Sequence, residues 1–126
     1  MATFVTGAAG FIGSNLVDRL LGDGEIVIGY DNLSTGMPEF ISSASRHRNF
    51  TFVHGDLLDT RNLAGAMRGA NRVVHLAANA DVRYGFAQPR KDLEQNTIAT
   101  FNVLEDRKST RLNSSHRSLS RMPSSA

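Results

Sequence analysis

The chain has 126 residues, with 14 Lys and Arg against 12 Asp and Glu, and it lacks both cysteine and tryptophan. The missing cysteine rules out a disulfide framework, a thiolate nucleophile and a zinc knuckle, and is compatible with the cytosol. The start Met1-Ala2-Thr3-Phe4-Val5 enters a strand pattern directly, with no export signal, and no apolar run reaches the ~20 residues that span a bilayer, so a cytoplasmic protein without membrane contact is expected.

In chain order, an apolar strand is predicted over residues 2–6, followed by Gly7, Gly10 and Gly13. The helix predicted over 11–21 repeats Leu16, Val17, Leu20 and Leu21 at helical spacing before Gly22 and Gly24 close it. A strand that turns into a helix through glycines aims unpaired backbone N–H groups and the positive helix end at one point, which the two phosphates of a dinucleotide satisfy. Gly7 is expected to make the sharp turn, Gly10 to let backbone approach the pyrophosphate, and Gly13 to let the helix pack close to the sheet. The spacing is G-x-x-G-x-x-G, one residue wider at its first gap than the G-x-G-x-x-G fingerprint.

A second strand over 25–30 ends at Asp31. A carboxylate there, about 20 residues past the glycines, is placed to accept hydrogen bonds from an adenosine ribose and to repel a 2'-phosphate, favouring NAD over NADP. Asp31-Asn32 is also an ordinary turn-forming pair. The following segment, with Pro38 and several serines, reads as loop or short broken helix. A strand over 51–54, a helix over 60–69, a strand over 72–76 and a helix over 90–105 complete the pattern. This alternation predicts an α/β, doubly wound parallel sheet in the order 3-2-1-4, truncated after about four strands and open at the edge of the fourth.

Thr6-Gly7-Ala8-Ala9-Gly10-Phe11-Ile12-Gly13, Asp31-Asn32-Leu33-Ser34-Thr35-Gly36, Gly55-Asp56-Leu57-Leu58-Asp59, His75-Leu76-Ala77-Ala78 and Asn96 to Glu105 occur in an order and spacing that resemble the extended short-chain dehydrogenase/reductases. Within them the chain is most similar to the NAD-dependent epimerase/dehydratase group, the UDP-glucose 4-epimerase-like enzymes in particular, over residues 1 to about 105. The resemblance implies a Rossmann-like fold, NAD as cofactor, a nucleotide-sugar substrate and a homodimer for the whole protein. It carries the pyrophosphate contacts onto Gly7, Ala9, Gly10, Phe11, Ile12 and Gly13, and the ribose side onto Asp31, Asn32, Ser34, Thr35 and Gly36. By the same resemblance Asp56 takes a hydrogen bond from the adenine, Leu57 gives it an apolar wall, Ala77 and Ala78 let the cofactor lie against backbone, and Asn96 braces the active site. Asp56 and Asp59 equally suit the start of the next helix, and His75, alone in an apolar strand, reads as a structural histidine rather than an acid or base.

The family's chemistry needs a tyrosine with a lysine four residues later. Tyr30 is followed at that distance by Ser34 and Tyr84 by Gln88, and Lys91 has no tyrosine at that spacing, so no catalytic residue is assigned in this chain. Arg83 and Tyr84, in the loop after the fourth strand, are weaker candidates to face a substrate. G-x-x-x-x-G-K, H-E-x-x-H and G-x-S-x-G are all missing, and no metal ligands are assigned. A 4-epimerase is the leading expectation for the whole protein. Dehydratase, decarboxylase and reductase relatives share this N-terminal half, and a non-catalytic NAD-responsive binding protein is the alternative of a different class.

Residues 106–126 read differently. Asp106 to His116 back-translates into a widely used sequencing adapter, Ser120 to Ala126 fits its continuation, and Arg117-Ser118-Leu119 fills the place of a sample index. The expected organisation is therefore the N-terminal part of an NAD-binding domain over 1–105 and a foreign, disordered tail over 106–126. The tail carries five basic residues and one acidic, which leaves 9 basic and 11 acidic side chains over 1–105. The net +2 of the whole chain thus becomes −2, and no nucleic-acid partner is expected.

Overall fold

The computed structural model describes residues 2–77, 90 and 98–109. Four strands, β1 (Ala2–Thr6), β2 (Ile26–Asp31), β3 (Phe50–His54) and β4 (Arg72–His75), form one sheet in the order β3-β2-β1-β4. Every pairing is parallel, with Phe4 opposite Ile28 and Val73, and Tyr30 opposite Val53. The strand alternation sends Phe4 to one face and Val5 to the other, and each face is covered as a parallel sheet requires. Helix α1 (Phe11–Gly22) covers the Val5 face, packing Val17, Leu20 and Leu21 against Val27 and Phe50. Helices α2 (Thr60–Met67) and α3 (Ala99–Ser109) cover the Phe4 face with Leu63, Met67, Ala99 and Val103. Each Val, Leu, Met and Phe among these contributes ~1.5–3 kcal/mol on burial.

Most element boundaries agree with the sequence pattern to within a residue or two. Helix α2 ends at Met67, because Arg68 has turned extended (ψ 133°) and Gly69 sits at φ +89°. The serine-rich stretch resolves into two 3-10 turns, Pro38–Ile41 and Ala44–Arg46, the second anchored by buried Ala44. Helix α3 runs to Ser109, four residues into the segment expected to be disordered. Of these four residues, Arg107 and Lys108 extend an already nucleated helix at little cost. At the opposite end from the glycines, Arg72 Nη2 donates to both Glu25 carboxylate oxygens at 2.7 and 2.8 Å, and Thr3 Oγ1 donates to Glu25 at 2.9 Å. That stitch ties the starts of β1, β2 and β4, leaving their C-terminal ends to build the site. Among the described residues, no helix is long and apolar enough to cross a membrane.

Candidate functional site

The chain leaves β1 at Gly7, whose φ of +70° is left-handed and favours glycine. Gly7 N–H donates to Tyr30 O at 2.9 Å, so the turn hangs on the end of β2. A Cβ on Gly7 would also stand 2.8 Å from Ala77 N, where the chain leaves β4. A Cβ on Gly13 would overlap the Gly7 carbonyl oxygen. The third glycine thus lets the start of α1 close onto the backbone of the turn that leaves β1.

Gly10 differs from its neighbours. Its φ of −80° is open to any residue, and a Cβ there would meet one atom within 4 Å, Gly7 O at 3.3 Å. The protein's own packing gives only mild grounds for glycine here. Gly10 caps α1 with no side-chain hydrogen bond, and the first turn holds no acidic residue. Phe11 and Ile12, the first two helical residues, are exposed while Gly13 is buried. The result is an uncapped helix start under open space, with the partial positive charge that an anion neutralises.

The segment after β2 folds back over this turn. Ala9 N–H donates to Asp31 Oδ2 and Leu33 N–H to Asp31 Oδ1, both at 2.8 Å. Ser34 N–H donates to Asn32 Oδ1 at 3.0 Å, and Met37 N–H to Ala9 O at 3.0 Å. Asp31 therefore makes the turn-forming bond and also holds the glycine loop. A carboxylate accepts about four hydrogen bonds, so these two leave room for ribose hydroxyls. Leu33 sits at φ +62°, rare for a leucine, and the Asp31 bond holds it there. Ser34 and Thr35 are exposed; Gly36 lies against the loop, since its Cβ would stand 2.9 Å from Ala9 Cβ and 3.0 Å from Asp31 Oδ2.

After β3, Leu58 N–H donates to Asp56 Oδ1 at 2.9 Å, and Asp59 caps α2 by accepting from Asn62 N–H at 3.2 Å. The two aspartates thus separate: Asp59 serves the helix, and half-buried Asp56 shapes the loop. Leu57 is buried in the core cluster, and Asn102 on α3 donates to its carbonyl at 2.9 Å. Tyr30, Asp31, Asn32, Gly55, Leu57 and Ala77 line one small pocket where the ends of β2, β3 and β4 converge. Ala78, Asn96, Arg83, Tyr84 and Lys91 lie outside the described residues.

His75 is fully buried at the end of β4. Thr6 Oγ1 accepts from Leu76 N–H at 3.0 Å and Ala77 N–H at 3.2 Å, so its own proton is directed to His75 Nδ1, 2.6 Å away. The ring is then the Nε2–H tautomer, donating to Thr100 Oγ1 at 3.0 Å. Burial lowers its pKa to about 4, which keeps it neutral. Both nitrogens are occupied, as suits a structural histidine. Residue types alone did not reveal this network, nor the place of Tyr30 and Gly55 in the pocket. Their one sequence signal was adjacency, each standing directly before an assigned aspartate.

Sheet order and glycine turn place the chain among the doubly wound, Rossmann-like α/β proteins. The UDP-glucose 4-epimerase of Mycolicibacterium smegmatis is 44% identical over 107 residues, 83% of this chain and 34% of that protein. The Thermus thermophilus UDP-glucose 4-epimerase, solved with NAD, superposes with a TM-score of 0.79 at 35% identity, covering 89% of this chain and 35% of the other. The dTDP-glucose 4,6-dehydratase DesIV of Streptomyces venezuelae, solved with NAD bound, gives 0.84 at 32% identity, over 89% and 37% of the two chains. A family model described as GDP-mannose 4,6 dehydratase matches residues 4–122. The chain belongs to that family, within the NAD-dependent epimerase/dehydratase group of the extended short-chain dehydrogenase/reductases, an enzyme family. It spans about a third of the length of these relatives.

Proposed function

We propose that this chain is the NAD-binding portion of a nucleotide-sugar epimerase or dehydratase, with a sugar-nucleotide 4-epimerase as the favoured whole. The observation that carries the proposal is Gly10: the structure's own atoms scarcely demand glycine there, whereas a pyrophosphate resting on the uncapped start of α1 does. The residues fit the cofactor. The N–H groups of the Ala9 to Gly13 turn would hold the two phosphates, and the remaining acceptor sites of Asp31 the adenosine ribose. Asn32, Ser34, Thr35 and Gly36 would close the ribose side, with Asp56 and Leu57 at the adenine. Ala77 and Ala78 would leave the cofactor room against backbone, and Asn96 would brace the active site. NAD, when bound, supplies reversible hydride transfer to and from a sugar carbon.

Catalysis needs the tyrosine-lysine pair that this sequence lacks, so the chain alone turns over no substrate, and with half a sheet open at one edge it binds NAD weakly at most. The dehydratase reading keeps its place because DesIV superposes as well as the epimerase does. The whole protein is proposed as a homodimer, for which exposed Phe101 and Leu104 on α3 offer apolar surface. Residues 106–126 are proposed as foreign sequence on the adapter reading alone, since the family match itself runs on to residue 122. A genomic copy that departs from the present sequence at codon 106 and encodes Tyr-x-x-x-Lys downstream supports both points; one that continues unchanged overturns them. Calorimetry on the 126-residue chain is expected to show NAD binding at least about tenfold tighter than NADP, one lost charge-assisted contact being worth about 1.4 kcal/mol or more. Measurable epimerase turnover by this chain would refute the assignment of catalysis to residues it lacks.

A further inference from the structure

Tyr30 is 1% exposed, lines the pocket at the strand ends and carries a buried hydroxyl that must be satisfied. The hydroxyl donates to Asp56 O at 2.9 Å and accepts from Asn62 Nδ2 at 3.3 Å. Its ring is fixed from behind by Phe4, with centroids 5.6 Å apart. Its backbone carbonyl accepts from Gly7 N–H at 2.9 Å. One residue thus spans the two halves of the site, its carbonyl on the phosphate turn and its hydroxyl on the loop that carries Asp56. Room for that hydroxyl is made by Gly55, because a Cβ there would stand 2.5 Å from Tyr30 Oη.

We infer that the Tyr30 hydroxyl is the positioning group that sets the Asp56 loop for recognition of a 6-amino purine. The inference rests on the NAD reading above, with Asp56 at the adenine, and adds what positions that aspartate. The Asp56 carboxylate can only accept while ionised, so it suits the amino group of adenine and opposes the carbonyl of hypoxanthine. Its direction follows from the loop's backbone, which Tyr30 pins at Asp56 O and the Leu58 N–H bond orients at Oδ1. Loss of the hydroxyl leaves the half-buried Asp56 carbonyl with the Asp59 N–H, at 3.0 Å, but without Tyr30, and lets the loop shift.

The test is equilibrium binding of NAD and of nicotinamide hypoxanthine dinucleotide to the full chain and to two variants. The parent chain is expected to prefer NAD by about tenfold or more, the worth of one hydrogen bond to a charged group. Tyr30→Phe, which removes one oxygen, should cut that preference to about threefold or less, a ratio that a general loss of stability would not move. Asp56→Asn, which keeps the backbone bond to Tyr30 and supplies a donor, should erase or invert it. An unchanged ratio in Tyr30→Phe overturns the inference and leaves the NAD reading standing; so does an Asp56→Asn chain that still prefers NAD. Failure of the parent chain to bind either dinucleotide overturns the NAD reading itself, and the inference with it.

Discussion

Thr6 and His75 are a buried polar pair whose geometry makes a protonation state obligatory. An added proton on Nδ1 would face a hydroxyl whose lone pairs are already taken by Leu76 and Ala77 N–H. With a folded pKa of about 4 against 6.5 in the unfolded chain, folding stability from this group is complete above pH 6.5. As pH falls from there towards 4 the unfolded chain takes up a proton that the folded chain refuses, and about 3 kcal/mol is lost over the window. Urea unfolding at pH 7 and pH 4.5 should show this loss, and His75→Asn, less stable at pH 7 by about 1–3 kcal/mol, should show a shallower pH dependence. Equal slopes for the two proteins would remove His75 as the cause. The histidine's structural character was legible from its place in an apolar strand. Its partners were not, because Thr6 and Thr100 meet it only through sheet pairing and helix docking.

The opening turn of α1 separates folding from binding at neighbouring glycines. Gly13→Ala drives a methyl into the Gly7 carbonyl and should destabilise the chain by about 3 kcal/mol or more, as a backbone clash with no flexible side chain to yield. Gly10→Ala meets one atom at 3.3 Å in a conformation any residue adopts, so its unfolding free energy should change by less than about 1 kcal/mol. Its NAD affinity should nevertheless fall about tenfold or more, because the methyl would occupy the space above the helix start. A Gly10→Ala chain that binds NAD as the parent does would sink the phosphate assignment. At this scale much was readable beforehand: the strand order and both covered faces follow from strand and helix alternation, whereas Asp31, Leu57 and Ala77, which line one pocket, were singled out by their places at strand ends and by family resemblance. Left-handed Leu33 and the early end of α2 at Met67 were not, since tertiary hydrogen bonds and a φ-positive Gly69, rather than periodicity, decide them. The motif also hid which atoms Gly13 accommodates, because sequence spacing does not say which surface a missing Cβ faces.

For the whole molecule, the decisive contribution is the one the first turns of α3 make to the core. Ala99 and Val103 are buried in the cluster around Phe4, Asn102 holds the Leu57 carbonyl, and Thr100 holds His75. Leu104 and Glu105 are already exposed. A chain ended at Ser109 keeps every one of those contacts and loses Arg111, Arg117 and Arg121, taking the formal charge from +2 to −1. Its unfolding midpoint and NAD affinity should match those of the 126-residue chain, while any salt-sensitive retention on heparin should disappear with the three arginines. A chain ended at residue 98 loses two core side chains and the hydrogen bonds of Thr100 to His75 and of Asn102 to the Leu57 carbonyl, and should be destabilised by about 3 kcal/mol or more. Thermal unfolding of the three lengths side by side separates the outcomes. If the chain ended at Ser109 melts well below the full one, residues 110–126 have a structural part in this protein, and their assignment as foreign sequence fails.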